Sequence, residues 1–268
     1  MQDLNELLYI AIRASYEAGA EIMKVKNSGI KGERRKKDKS YVTDADINAN
    51  NVITQNLVYT GIPIISEESN LPKSRLNEEY IWIVDPLDGT SEFVADGNEF
   101  TVNIALVKNH KVILGVVYVP VTNELYYASE EIGSYKFICE IDYEINDEDV
   151  TNYIKSLIYD SLQLPYTETD IYTIVASKRN LNKETSFFIE NLSDCREVKY
   201  ENRSSSLKMC VVAEGNADIY PRMSKIWEWD TAAAHAIVKF AGKNIYDMSG
   251  EELQYNKSNL LNSYFIVK

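Results

Sequence analysis

The sequence predicts a layered protein in which an α+β first half packs against a smaller α/β second half. Two observations lead to this fold class. Alternating segments follow one another between residues 100 and 141, which is typical of an antiparallel meander. From residue 172 onward, short strand-like segments alternate with helical ones, which is typical of an α/β layer. The halves are predicted at 1–145 and 146–268, because the chain turns acidic and helical between residues 146 and 164.

The first half is predicted to open with two helices. Asp3 is the expected N-cap of the first, since apolar residues recur after it at three- and four-residue spacing. Thr43 or Asp44 is the expected N-cap of the second. Such a cap would explain part of the acidity around Asp46 without any function.

Two short strands of the first half run directly into acidic residues. The strand at 62–66 is followed by Glu67, and the strand at 80–84 by the motif Asp-Pro-Leu-Asp-Gly-Thr at 85–90. Proline and glycine force a turn around the two carboxylates of this motif. Its oxygens suit a hard cation such as Mg²⁺, and the helix start behind it offers unpaired N–H groups to phosphate. As an isolated peptide the motif is also ordinary turn chemistry, so the other acidic residues decide its interpretation.

The remaining elements follow from periodicity and turn signals. Asp230 precedes an alanine-rich helix, so a helix cap is the alternative to a functional role. Further strands are predicted at 100–108, 111–119, 124–128, 134–141, 172–176, 197–200, 217–220 and 243–246, and further helices at 90–94, 183–192, 204–214 and 230–241.

Composition and charge restrict the class of partner. The 268 residues are 45% hydrophobic and 26% charged, which is enough for a full core. With 28 basic and 41 acidic residues the net charge is −13, which disfavours nucleic acid and anionic membranes as partners. A small anionic substrate is still compatible, because bound divalent cations can reverse the local field. The basic segment at 31–39 is interpreted as a solvated connector, with a phosphate-steering loop as the alternative.

Cysteine usage and hydrophobicity predict a cytoplasmic protein without a transmembrane segment. Cys139, Cys195 and Cys210 are widely spaced and form no C-x-x-C pair, which is typical of reduced thiols. The first residues lack the basic and apolar regions of a signal peptide, and no apolar run approaches the roughly 20 residues that span a bilayer. The oligomeric state is not predicted.

The chemistry is predicted to depend on carboxylates rather than on a nucleophilic triad. His110 falls in a hairpin turn and His235 inside a helix, and neither belongs to a Ser-His-Asp or Cys-His set. The glycine-rich motifs of P-loop and dinucleotide-binding proteins are absent from the sequence. The candidates that remain are acids at the ends of predicted elements, namely Asp46, Glu67, Asp85, Asp88 and Asp230.

Three motifs together resemble the Mg²⁺-dependent, lithium-sensitive inositol monophosphatase superfamily. They are Ile-Ser-Glu-Glu-Ser at 65–69, the motif at 85–90, and Trp-Asp-Thr-Ala-Ala at 229–233. Within it, the segments at 92–93, 99–106, 205–208, 212–215 and 220–222 are most similar to the bacterial 3'(2'),5'-bisphosphate nucleotidase branch. The resemblance implies an αβαβα sandwich of the inositol monophosphatase and fructose-1,6-bisphosphatase type.

The resemblance also implies a role for each site residue. Two Mg²⁺ ions are expected, one on Glu67, Asp85 and the Leu87 carbonyl, the other on Asp85, Asp88 and Asp230, with room for a third, looser ion. The implied catalytic residues are Glu67, Asp46 and Thr90. Of these, Asp46 and Thr90 are expected to orient and deprotonate the attacking water. The scissile phosphate is expected among Glu67, Leu87, Asp88, Asp230 and the N–H groups of Gly89 and Thr90. Ser177, Lys178, Arg179 and Arg222 are implied near a second phosphate, although solvent-facing basic residues are the alternative.

The implied activity is hydrolysis of the 3'-phosphate of adenosine 3',5'-bisphosphate to AMP, and of its 5'-phosphosulfate analogue in the same way. An inositol 1-phosphate or sugar-phosphate phosphatase is the alternative within the superfamily. A catalytically silent nucleotide- or metal-binding protein is the non-enzymatic alternative. Three departures from the family pattern bear on the substrate. Residues 91–97 lack the family's usual basic side chains, residues 223–228 lack its usual glycine turn, and the acidic segment at 147–160 looks like an addition.

Overall fold

The computed structural model describes residues 3–36, 40–69, 73–138, 150–168, 171–177, 182–192 and 198–268. Its helices are α1 (Leu4–Ser28), α2 (Asp44–Leu57), α3 (Thr90–Val94), α4 (Val150–Tyr159), α5 (Lys183–Leu192), α6 (Leu207–Glu214) and α7 (Ala232–Phe240). Its strands are β1 (Arg34–Arg35), β2 (Tyr41–Val42), β3 (Ile64–Ser66), β4 (Tyr80–Asp88), β5 (Thr101–Lys108), β6 (Lys111–Val119), β7 (Glu124–Ser129), β8 (Gly133–Ile138), β9 (Leu162–Gln163), β10 (Tyr172–Ser177), β11 (Val198–Arg203), β12 (Tyr220–Arg222), β13 (Ile226–Trp227), β14 (Ile245–Asp247), β15 (Leu261–Asn262) and β16 (Phe265–Val267).

The larger sheet has the strand order β3-β4-β5-β6-β7-β8-β9. Strand β3 runs parallel to β4, and every later neighbour is antiparallel, so the sheet is mixed. In the second half β10 and β11 pair in parallel, and β12, β16 and β14 form an antiparallel group. A bridge between Ile174 and Ile219 connects these two groups into one layer.

The layers alternate as helices, sheet, helices, sheet and helix. Helices α1 and α2 pack on one face of the larger sheet, while α7 and α6 separate its other face from the smaller sheet. Helix α5 covers the far side of the smaller sheet through Ile189, which packs on Ile174 and Ile219. The predicted layered fold class is therefore confirmed.

Strands β4, β5 and β6 are buried along most of their length because helices cover both faces of the sheet. Helix α7 approaches β6 closely at Gly115, where an added Cβ would lie 2.3 Å from the Ala233 carbonyl oxygen. Small side chains on both elements therefore let the start of α7 lie against the sheet. This contact brings the turn before α7 to the end of β4.

The structure corrects the predicted end of β4. The strand continues past residue 84, because Asp85 still pairs with Asn103, and pairing resumes at Asp88 with Thr101 after a register shift. Backbone pairing does not depend on side-chain charge, and Pro86 lies in the irregular stretch, where no ladder N–H is required. The two carboxylates are therefore held by the sheet itself.

Some predictions about the halves cannot be compared with the structure. The boundary at 145/146, together with Cys139 and Cys195, lies outside the described residues, so the division stays a prediction. Helix α4 packs on α1, and β9 extends the larger sheet. Among the helices that the structure describes, none combines the length and the hydrophobicity needed to cross a membrane.

His235 is a buried residue of α7, inside a helix as predicted. Its Nε2 lies 2.6 Å from Asn244 Oδ1, which also accepts from the Ile245 N–H, so Nε2 carries the proton. Its Nδ1 lies 2.9 Å from the Tyr255 hydroxyl and accepts from it. Burial lowers the pKa of His235 to about 4 from an ordinary value of 6.5. The folded protein therefore holds this imidazole in the neutral form.

We expect the free energy of unfolding to fall as the pH is lowered from about 6.5 to about 4. In this range His235 is protonated in the unfolded chain but stays neutral in the folded protein. His235→Gln should reduce the slope over this window, since glutamine does not titrate. Urea denaturation at several pH values measures both slopes. Equal slopes for the two proteins would contradict the assignment.

Candidate functional site

A cavity of about 520 Å³ is lined by residues at the ends of β3 and β4, at the start of α6 and in the turn before α7. It contains most of the residues that the sequence predicted for the site, together with others that it did not. Its lining includes Ser40, Tyr41, Glu67, Asp85, Leu87, Asp88, Gly89, Thr90, Ser91, Glu92, Ser204, Ser205, Lys208, Met209, Tyr220, Arg222, Ile226 and Asp230.

Three carboxylates converge in this cavity from separate elements. Glu67 follows β3, where its N–H donates to the Val84 carbonyl of β4. Asp85 lies within β4, and Asp230 lies in the turn before α7. One carboxylate oxygen from each residue lies within 4.8 Å of the others. This spacing matches oxygen ligands around one cation. Of the four acids predicted to converge, Asp88 is not part of this group of three.

Asp230 is not a helix cap. Helix α7 has Thr231 at its N-cap position, and one oxygen of Asp230 accepts instead from the Trp227 N–H at 2.8 Å. A single backbone donor leaves the carboxylate capacity for another partner in the cavity. The alternative of a capping role is therefore wrong.

The electrostatics of these acids indicate that a cation belongs among them. Burial, followed by the charges of Glu67, Asp88 and Asp230, raises the pKa of Asp85 well above its ordinary value. Burial and the charge of Asp88 likewise raise the pKa of Asp230, and burial raises that of Glu67. Clustered carboxylates of this kind repel one another unless a positive charge lies between them. The donor set, all oxygen and mostly anionic, fits Mg²⁺.

The basic segment at 31–39 is not simply a solvated connector. The Lys36 ammonium donates to Glu67 at 2.7 Å and also contacts Glu68, and Lys31 donates to Asp96 at 2.6 Å. The ion pairs of Lys36 hold the β1–β2 hairpin beside Glu67 of the carboxylate cluster. Residues 37–39 lie outside the described residues.

Asp46 and Thr90 form a second pair next to the carboxylates. The Thr90 hydroxyl lies 3.0 Å from Asp46 Oδ1 and 3.2 Å from the Leu87 carbonyl oxygen. The other oxygen of Asp46 closes a capping box with Thr43, accepting from its N–H and its hydroxyl. Burial raises the pKa of Asp46, which makes this carboxylate a better proton acceptor. The capping role and the predicted catalytic position therefore coexist.

Cations line the same cavity. Lys208 is only 7% exposed, and its ammonium lies 5.8 Å from the centre of the Tyr220 ring. Burial lowers the pKa of Lys208 to about 8. The Nε of Arg222 is buried and has no hydrogen-bond partner among the described residues. Lys208 and Arg222 therefore bring positive charge into the same cavity as the carboxylates.

Arg222, which the sequence selected, lines the cavity together with Lys208, which it did not. The only signal for Lys208 was its place in the Ser-Ser-Leu-Lys segment at 205–208, which entered the family resemblance without a role. Lys178 and Arg179 lie outside the described residues, as does the side chain of Ser177. Their predicted contacts with substrate stay predictions.

Comparisons with known proteins agree with this geometry. The family model described as "Inositol monophosphatase family" matches residues 3–264. The 3'(2'),5'-bisphosphate nucleotidase CysQ of Salmonella typhimurium is 37% identical over 255 residues, covering 93% of this chain and 94% of that protein. CysQ of Escherichia coli K12 is 36% identical over 236 residues, which is 87% of each chain.

Solved structures show the same fold. The crystal structure of CysQ from Bacteroides thetaiotaomicron has a TM-score of 0.89 and 39% identity, covering 98% of this chain and 97% of that one. The Thermotoga maritima IMPase TM1415 has a TM-score of 0.71 and 26% identity, covering 98% and 92%. On these matches and on the acids that converge in its cavity, the chain belongs to the inositol monophosphatase family.

Proposed function

We propose that this protein is a Mg²⁺-dependent phosphomonoesterase that removes the 3'-phosphate of adenosine 3',5'-bisphosphate to give AMP. One observation carries the proposal, namely that a single cavity is lined both by converging carboxylates and by the cations Lys208 and Arg222. The carboxylates suit a metal-bound scissile phosphate, and the two cations suit a further phosphate of the same substrate. The names of the CysQ relatives support this choice.

The residues that would hold Mg²⁺ are Glu67, Asp85, Asp88 and Asp230 with the Leu87 carbonyl oxygen. Bound Mg²⁺ would supply Lewis-acid stabilisation of phosphate oxygens and a lower pKa for the attacking water. The protein's part is to hold these ligands rigidly. Asp85, for example, accepts from the Leu87 N–H at 3.1 Å, which orients its carboxylate within β4.

Thr90 and Asp46 are proposed to orient the attacking water and take its proton. Because the Thr90 hydroxyl hydrogen is directed to Asp46, the hydroxyl oxygen can accept a hydrogen bond from water. Asp46 can then receive the proton through Thr90, and its raised pKa favours that transfer. A buried histidine base is not required.

The part of the cavity around Lys208 and Arg222 is proposed to hold the 5'-phosphate and the nucleoside. Lys208 and Arg222 would bind the phosphate as charge-assisted donors. Apolar surface for the ribose and base is offered by three residues that line the same cavity, Met209, Tyr220 and Ile226. An inositol monophosphate has no second phosphate for these two cations to bind, which argues against that alternative.

The proposal is tested by phosphate release from a substrate panel, with and without Mg²⁺. Adenosine 3',5'-bisphosphate and its 5'-phosphosulfate analogue should be hydrolysed with higher kcat/KM than 3'-AMP, inositol 1-phosphate or sugar phosphates. Preference for inositol 1-phosphate would overturn the substrate assignment. Tight nucleotide binding without release in saturating Mg²⁺ would instead support the catalytically silent alternative.

Lys208→Met should lower kcat/KM for adenosine 3',5'-bisphosphate by about 10- to 100-fold, since a charge-assisted hydrogen bond contributes roughly 1.5–3 kcal/mol. Methionine retains the shape of the side chain but removes the charge that would meet the 5'-phosphate. The decrease for 3'-AMP, which lacks that phosphate, should be only a few-fold. Lys24→Met, on the exposed side of α1, is the matched control. Equal losses for both substrates would contradict the 5'-phosphate assignment.

A further inference from the structure

Ser206 occupies the N-cap position of α6, but its hydroxyl makes no capping hydrogen bond. Serine at this position ordinarily accepts from a backbone N–H of the first helical turn. The residue is 1% exposed, so its hydroxyl must find its partners within the protein. Those partners lie at the carboxylate cluster.

Ser206 contacts two of the proposed metal-ligating segments. Its N–H donates to Asp88 Oδ2 at 2.8 Å, and its hydroxyl lies 2.9 Å from the same oxygen. The hydroxyl also lies 3.2 Å from the Asp230 carbonyl oxygen. Asp88 belongs to β4 of the larger sheet, while Asp230 belongs to the turn before α7. One serine therefore joins the ligand-bearing segments of the two halves.

Asn103 restricts the direction of the Ser206 hydroxyl hydrogen. Its side-chain Nδ2 donates to Ser206 Oγ at 2.8 Å, and its side-chain Oδ1 accepts from the Thr101 hydroxyl at 3.0 Å. Because the serine oxygen already accepts a hydrogen bond, its hydrogen is directed to Asp88 or to the Asp230 carbonyl. The donors around Asp88 Oδ2 leave Oδ1 as the oxygen available to a cation.

We propose that Ser206 is a positioning residue that holds Asp88 in its metal-ligating orientation and joins it to the Asp230 turn. This inference rests on the proposed Mg²⁺ site. Hydrogen bonds to a ligating carboxylate fix its orientation, and losing such a partner typically costs about 10- to 100-fold in metal affinity. Ser206 acts through Asp88 and needs no contact with substrate.

The test is direct titration of the full-length protein with Mn²⁺, followed by electron paramagnetic resonance and without any substrate. Ser206→Ala should raise the Mn²⁺ dissociation constant by about tenfold. We expect no larger effect, because the hydrogen bond from the residue 206 N–H to Asp88 remains. The Mg²⁺ concentration for half-maximal phosphate release should rise by a similar factor. Ser129→Ala is the matched control, because Ser129 is equally buried and its hydroxyl has no partner among the described residues.

The outcomes separate the positioning role from the proposed function. If wild-type and Ser206→Ala proteins bind Mn²⁺ equally, the positioning role is overturned and the metal site stands. If the wild-type protein binds no Mn²⁺, the metal site itself fails. Should Ser206→Ala not fold, Ser206→Cys preserves nearly the same volume with a weak donor, and the same loss of affinity is expected. An unchanged affinity in that variant would overturn the proposal as well.

Discussion

Asp85→Asn should abolish phosphate release and yet make the metal-free protein more stable. Asp85 is 1% exposed and faces Glu67, Asp88 and Asp230, so its charge is repelled in the absence of a cation. Asparagine keeps the shape and the oxygen that accepts from the Leu87 N–H, but it removes that charge. Relieving a buried, uncompensated charge should raise the free energy of unfolding by at least about 1 kcal/mol.

Loss of activity should exceed the roughly 10- to 100-fold effect of removing an outer hydrogen-bond partner of a metal ligand. We expect a decrease of about 10³-fold or more in kcat, because Asp85 is proposed to contact the metal directly. Urea denaturation in EDTA and in Mg²⁺ measures the stability change. Mg²⁺ should stabilise the wild-type protein and not the variant, since only a site that binds the ion is linked to it.

Asp160→Asn serves as the control, because Asp160 is exposed in a turn after α4. It should leave both activity and the response to Mg²⁺ unchanged. A fully active Asp85→Asn protein, or one equally stabilised by Mg²⁺, would contradict the proposed metal site.

Thr90→Val should lower kcat by about 10²- to 10⁴-fold while changing KM only a few-fold, which is the usual range for losing a positioned proton-transfer group. Valine has nearly the same shape as threonine, but it cannot connect a water molecule to Asp46 Oδ1. The measurement is steady-state phosphate release at saturating Mg²⁺ across substrate concentrations.

Thr90→Ser is the matched variant, because it keeps the hydroxyl that lies 3.0 Å from Asp46. It should retain most of the activity. If valine and serine reduced kcat equally, the loss would come from packing rather than from the hydroxyl, and the proposed proton route would be wrong.

Much of the fold could be predicted because its signals are local. The stripe of α1, the hairpin turn at 109–110 and the strands that run into acids all appear as short patterns of residue type. Fewer strands could be predicted in the last third of the chain. There β13, β15 and β16 are only two or three residues long, and they form by pairing with segments distant in the sequence. The end of β4 was predicted too early, because the acidic residues were taken as a sign that the strand had ended. The backbone hydrogen bonds of the strand continue through them.

The sequence by itself determined the candidate carboxylates, though not Lys208, since an Asp-Pro-Leu-Asp-Gly-Thr turn and a Trp-Asp pair can be recognised from a few neighbouring residues. Only the tertiary structure decided how they are assembled. The close approach of α7 to Gly115 brings Asp230 to Asp85, and the loop before α6 places Ser206 on Asp88 and Lys208 in the same cavity. These contacts join residues more than one hundred positions apart, and no local pattern records them, because long-range packing depends on how whole layers fit together.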